Sequence, residues 1–100
     1  MYAQVIQGGA APEQRAAMDN IVHEQMIPAL SEEPGFTGAL NLVDRDTGNA
    51  MMIVIWQDEQ QARRPLADYG RSFLKALASI AAISSGNRKP MSVWDVNALA

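Results

Sequence analysis

The chain contains no cysteine, which excludes disulfides, thiolate nucleophiles and zinc sites built on sulfur. It contains one histidine, His23, so no centre made of several imidazoles can form within it. The charged fraction is an ordinary 19%, but acids outnumber bases and the net charge is −3. That balance argues against non-specific attachment to nucleic acid or to an anionic membrane surface. No apolar run approaches the ~20 residues that span a bilayer. The opening residues MYAQVIQ have neither a basic leader nor a long apolar stretch, so no signal peptide and a cytoplasmic location are expected. Phosphate-cradling glycine loops, nucleophile elbows and carboxylate clusters at metal-ligand spacing are missing as well.

What the chain does have is apolar content: 48% of 100 residues, enough for one domain, 1–100, whose core needs no covalent staples. Its most informative stretch is FTGALNLVDRDTGNAMMIVIWQ, Phe36 to Gln57. Two apolar extended runs flank Asp44-Arg45-Asp46-Thr47-Gly48-Asn49, a composition that favours reversal, with Gly48 free to take positive φ. This reads as a β-hairpin. In its second arm Met51, Ile53 and Ile55 point to one face and Met52, Val54 and Trp56 to the other. Both faces are apolar, so both must be covered. Helices of the same chain can cover one; the other calls for a second chain.

Around the hairpin the order is regular. Tyr2 to Gln7 is a strand ended by Gly8-Gly9. Pro12 opens a helix whose apolar face holds Met18, Ile21, Val22, Met26 and Ala29, with Arg15, Asn20 and Glu24 at its margins and back. Pro28 predicts a kink or an early end, and Glu33-Pro34-Gly35 turns the chain into the hairpin. Asp58 caps a second helix with Gln61 in capping-box position. Pro65 interrupts it, and Leu66, Tyr69, Phe73, Leu77 and Ile80 carry it on at helical spacing to Ile83, with a left-handed cap expected at Gly86-Asn87. Met91 to Val96 is the last strand. Short right-handed connections in the order βαββαβ give an α+β, ferredoxin-like fold: a four-stranded antiparallel sheet, first and third strands central, helices on one face. Pairing of two bare sheet faces makes a homodimer. A bare patch of about 500 Å² corresponds to ~12 kcal/mol gross, before the cost of association.

Helix one ending in Met26-Ile27-Pro28-Ala29-Leu30, then Glu33-Pro34-Gly35-Phe36, a DxxTG hairpin and a strand closed by Trp56 resemble the antibiotic-biosynthesis-monooxygenase-like group of the dimeric α/β-barrel superfamily. The resemblance runs over roughly residues 2–96. It implies sheets paired into a barrel and a pocket between each sheet and its helices. Its characterised members oxidise aromatic polyketides without metal or flavin, degrade haem or oxidise quinols, so it implies a fold and a pocket and leaves the reaction open. Haem-degrading members use a histidine late in helix two, a tryptophan earlier in it and an asparagine on strand one. Helix two here has neither histidine nor tryptophan, and position 7 is Gln7. No haem, other cofactor or transition metal is expected.

Two functions follow. One is a cofactor-independent monooxygenase acting on an apolar aromatic molecule; the alternative is a non-catalytic, dimeric ligand-binding or stress-associated barrel. Convergent polar groups with displaced pKa values would favour the first. For an enzyme, Tyr69 and Asn41 are the catalytic candidates. Trp56, Gln7, Phe73 and His23 are the substrate-binding ones. Each has a plainer reading: Trp56 and Trp94 as core or interface filler, Tyr69 bonded to a backbone carbonyl, His23 on the rim. Gln4 and Gln7 lie on opposite faces of strand one, so at most one of them enters the pocket. Arg63, Arg64, Arg71 and Lys75 could meet a ligand carboxylate or phosphate, but read more simply as a solvated helix face.

Overall fold

The computed structural model describes residues 1–85 and 89–100; the cap expected at Gly86-Asn87 lies outside the described residues. Strand β1 is Tyr2–Gly9, and a 3₁₀ turn at Pro12–Gln14 leads into helix α1, Arg15–Ile21. A π turn, Val22–Met26, joins α1 to α2, Ile27–Ser31. Strands β2, Phe36–Val43, and β3, Asn49–Trp56, form the hairpin. Helix α3, Glu59–Ala62, a 3₁₀ turn at Leu66–Asp68 and helix α4, Arg71–Ile83, precede strand β4, Ser92–Asp95. The strands lie in the order β2-β3-β1-β4, each pair antiparallel. This is the ferredoxin-like α+β arrangement, with β1 and β3 in the middle.

The hairpin turn is held by its own side chains. Asp44 Oδ1 accepts from the amides of Asp46 and Thr47, Thr47 Oγ1 accepts from Asn49, and Gly48 takes φ 80°. Gly48 is also pressed against the chain just past β1, since a Cβ there would stand 2.7 Å from the Ala10 carbonyl. The inward face of the sheet carries Gln4, Val54 and Trp56, all wholly buried. Met26, Ala29, Leu30, Phe73 and Ala76 of the helices pack on it. Burying a side chain such as Phe73 contributes about 1.5–3 kcal/mol. The opposite face has no helix. Leu40 pairs with Ile53 and Ile53 with Val5, while Leu42 pairs with Met51 and Trp94 with Ala3, so these side chains share that face. Leu40, Leu42 and Trp94 are exposed there.

Four expectations are corrected. Pro28 does not end the helix, which runs on to Ser31: Ile27 keeps helical angles, and its amide donates to the Val22 carbonyl, one residue beyond the usual partner. Widening the turn accommodates a ring that lacks an N–H and crowds the preceding carbonyl. The second helical region does break at Pro65, but regular helix begins at Arg71, not Leu66, because Tyr69 (ψ 166°) and Gly70 (ψ 165°) are extended. Glu33 fixes this detour: Oε2 accepts from the Gly70 amide at 3.1 Å, and Oε1 pairs with Arg64. Arg64 also lies 4.2 Å above the Tyr69 ring, so it belongs to a structural clamp and not to a solvated basic face. Finally, Asp58 caps α3 through Gln61 N–H, but the Gln61 side chain does not return the bond; its oxygen is buried without a partner.

Candidate functional site

A cavity of about 280 Å³ lies between the inner sheet face and the helices, at the lower end of the range for small-molecule sites. Its walls are chiefly apolar: Met18, Val22, Met26 and Leu30 from the first helical region, Phe73, Leu77 and Ile80 from α4, and Ile6 and Met52 from the central strands. These residues recur at helical and strand spacing because the same periodicity that builds the core leaves this part of it unfilled. The polar residues in the wall are few: Asn41, Gln7, Ser84, Arg15 and Lys89.

Of the residues singled out from the sequence, Asn41, Gln7 and Phe73 contribute to this wall. Asn41 stands on β2 opposite Met52, and its Nδ2 donates to the Met51 carbonyl at 3.3 Å. It has no other hydrogen-bond partner among the described residues, so its amide oxygen and second N–H remain to meet a ligand. Gln7 pairs with Met51. Alternation from the buried Gln4 puts its side chain on the helix-free face, so it reaches the cavity wall by its backbone.

Tyr69 and Trp56 do not line the cavity, which corrects the expectation that they would. Both are buried in a cluster behind it, where Phe36, Trp56, Tyr69 and Phe73 contact one another in sequence. Gln4 ties the cluster together: Trp56 Nε1 donates to its Oε1 at 3.1 Å, and its Nε2 donates to the Tyr69 hydroxyl at 3.3 Å. The same Nε2 lies 2.9 Å from Met91 Sδ, and Met91 is part of the cavity wall. Burial pushes the Tyr69 phenol up, and the Gln4 bond and the Arg64 guanidinium offset this only in part. The phenol therefore stays neutral at neutral pH. Tyr69 is also not on a helical stripe; it occupies the extended detour before α4.

His23 is exposed on the π turn, away from the cavity. It borders a separate, more polar groove of about 340 Å³ with Asp19, Asn41 and Arg45. Among the described residues no group of His, Asp and Glu could hold a metal ion, and no helix is long and apolar enough to cross a membrane.

Arg15 is the residue that sequence reasoning placed wrongly. Expected at the margins and back of its helix, it turns inward; its side chain is 13% exposed and forms part of the cavity wall. Its Nε donates to Asp19 Oδ1 at 3.0 Å, and Asp19 Oδ2 accepts from Arg45 at 3.3 Å. Burial alone would raise the Asp19 carboxyl, but the two guanidiniums outweigh it and hold the carboxyl below its ordinary value. The Arg15–Asp19 spacing of four residues was the available signal: such a pair braces a long side chain against its helix.

No protein-family model and no curated protein matches the sequence. Solved structures do match. SnoaB, a cofactor-independent oxygenase from Streptomyces nogalater, superposes with a TM-score of 0.75 at 21% identity, over 98% of this chain and 94% of that one. Rv0793 from Mycobacterium tuberculosis gives 0.72 at 16% identity, over 99% and 97%. A protein described as an antibiotic biosynthesis monooxygenase gives 0.74 at 19% identity, over 96% and 98%. At these identities the likeness is one of architecture, and it covers nearly the whole of each chain. The chain has the fold of the antibiotic-biosynthesis-monooxygenase-like proteins.

Proposed function

We propose that the chain is a monooxygenase-like enzyme that oxidises an apolar aromatic molecule in the cavity between sheet and helices, working as a homodimer paired through the helix-free sheet face. The observation that carries the reading is the cavity itself: apolar walls, with the amide of Asn41 presented into them, on the architecture of a cofactor-independent oxygenase. In such a reaction the substrate supplies the electrons. An acidic ring CH₂ loses a proton, and the carbanion forms a C–O bond to O₂. The resulting peroxide then takes up a proton and loses water as the second C–H breaks. One oxygen atom ends in the new carbonyl and the other in water. The protein's part is to exclude solvent, hold the ring and polarise its oxygen substituent. Asn41 would supply the last of these. Tyr69, neutral and behind the wall, would act as a positioning residue through Gln4 and Met91.

The dimer proposal rests on the exposed Leu40, Leu42 and Trp94 beside Ile53 and Ile55, an apolar face of the kind monomers seldom leave open. The test of activity is oxygen uptake with a panel of hydroxylated polycyclic aromatics, comparing the parent with Asn41→Ala and Tyr69→Phe. Asn41→Ala is expected to lower kcat more than it raises KM. Binding without oxygen consumption would favour the second reading, a non-catalytic ligand-binding barrel. One observation supports that alternative: no histidine or carboxylate stands in the cavity wall among the described residues.

A further inference from the structure

The charges around the cavity are one-sided. The chain as a whole is acidic, with a net charge of −3, yet among the described residues the charged ones in the wall are Arg15 and Lys89, both cations, with no acid beside them. Lys89 is exposed, so water can serve it. Arg15 is different. A guanidinium has five N–H donors, and here the Asp19 carboxylate takes the Nε side, with Nη2 3.0 Å from the same oxygen. Among the described residues Nη1 is buried without a hydrogen-bond partner, and Nη2 makes no hydrogen bond of good geometry. Asp19 cannot neutralise the group fully, because it is shared with Arg45. Two guanidiniums and one carboxylate leave one positive charge. Arg45 is 68% exposed, whereas Nη1 and Nη2 of Arg15 are sealed from solvent on a residue that forms part of the cavity wall. A buried donor left unpaired is costly, and an oxyanion is the partner that matches both its charge and its forked geometry.

We propose that the cavity takes an apolar ring system carrying one anionic oxygen group, a carboxylate or an ionised ring hydroxyl, and that Arg15 is the residue that selects it. This rests on the reading above only in that the same cavity is the ligand site; it does not require turnover.

The test is calorimetric titration of the parent with 1-naphthoate and with its neutral isostere 1-naphthamide, and spectroscopic titration with 4-nitro-1-naphthol, whose absorption reports ionisation. The parent should bind naphthoate about 10-fold or more tightly than naphthamide, or lower the apparent pKa of the nitronaphthol. The first result points to a carboxylate as the natural group and the second to an ionised hydroxyl. In Arg15→Met either effect should vanish while naphthamide affinity is kept. If Arg15→Met does not fold by far-UV circular dichroism, Arg15→Lys serves: it retains charge but not the fork, and should lose most of the preference. Lys89→Ala should change the preference less than either variant. Equal binding of naphthoate and naphthamide, with no shift of the nitronaphthol, overturns the inference and leaves the cavity as a ligand site. A preference that survives in the Arg15 variants overturns Arg15 as its source. Failure of all three probes to bind overturns the inference together with the cavity reading.

Discussion

Gln4→Leu should destabilise the protein by about 2 kcal/mol, through the partners it abandons more than through its own loss. Gln4 is wholly buried in the middle of the sheet. Its Oε1 accepts from Trp56 Nε1 at 3.1 Å, and its Nε2 donates to the Tyr69 hydroxyl at 3.3 Å and reaches Met91 Sδ at 2.9 Å. Leucine nearly fills the space but offers none of these contacts. Trp56 is itself wholly buried, so its indole N–H has no water to turn to, and an unsatisfied buried donor costs ~1–3 kcal/mol. The Tyr69 oxygen loses a long bond, worth ~0.5–1 kcal/mol. Burying leucine instead of an amide returns roughly 1 kcal/mol. For a domain of this size the balance lowers the melting temperature by about 10 °C.

The comparison is Tyr69→Phe, which removes one end of the long bond and leaves Nε2 beside the sulfur of Met91. It should cost about 1 kcal/mol or less. The double variant should cost less than the two single changes together, since both lose the same bond. Urea unfolding followed by far-UV circular dichroism gives the values. All variants should be held at one protomer concentration, because association would move the midpoints. If Gln4→Leu is as stable as the parent, or the two changes add without interaction, the amide is not holding the aromatic cluster and the argument fails.

Three further outcomes are expected. Ile53→Asp, on the helix-free face, should leave the far-UV spectrum intact and shift sedimentation from dimer to monomer; a monomeric parent at micromolar concentration would remove the basis of the dimer proposal. Gly48→Ala should lower stability by ~1 kcal/mol or more in a thermal melt, since it combines φ 80° with a Cβ held 2.7 Å from a backbone oxygen. The pH limits should have separate origins. The Asp19 carboxyl lies below its ordinary 3.8 in the folded chain, so its stabilisation is present above that value and lost as pH falls through the folded one. The Tyr69 phenol lies above its ordinary 10.0, so stability falls as pH rises past 10.0 through the folded value. Asp19→Asn should flatten the acid limb of a stability–pH profile, and Tyr69→Phe the alkaline limb.

The hairpin, the strand order and the break at Pro65 were legible because each is written locally: alternation in 49–56, a turn composition at 44–49, a ring without an N–H at 65. The site was less so. A helical wheel assumes a constant period, and the π turn at Val22–Met26 breaks it for everything downstream. Tyr69 fits the wheel of α4 but lies outside that helix, because a carboxylate distant in sequence, Glu33, holds the Gly70 amide. Arg15 fell at the margins and back of the helical wheel, although a long stem can lie along apolar surface while its head is paired. The polar residue in an apolar strand was the honest local clue. Gln4 and Gln7 were both visible, and only the register of β1 against β3 decides that Gln4 is the buried one.

Strand β3 joins the two proposals physically. Its inward residues Val54 and Trp56 close the core behind the cavity, Met52 forms part of the cavity wall, and Met51, Ile53 and Ile55 face away from the helices. The carbonyl that fixes the Asn41 side chain belongs to Met51, a residue whose own side chain is on the helix-free face. A second copy covering that face would therefore brace the strand that orients Asn41 without touching the ligand. Left uncovered, the same strand has packing on one side only, and the amide it positions is held by a single 3.3 Å bond. In this architecture the proposed association and ligand orientation would draw on the same backbone, so a change that abolishes pairing is expected to loosen the cavity wall even where every lining residue is kept.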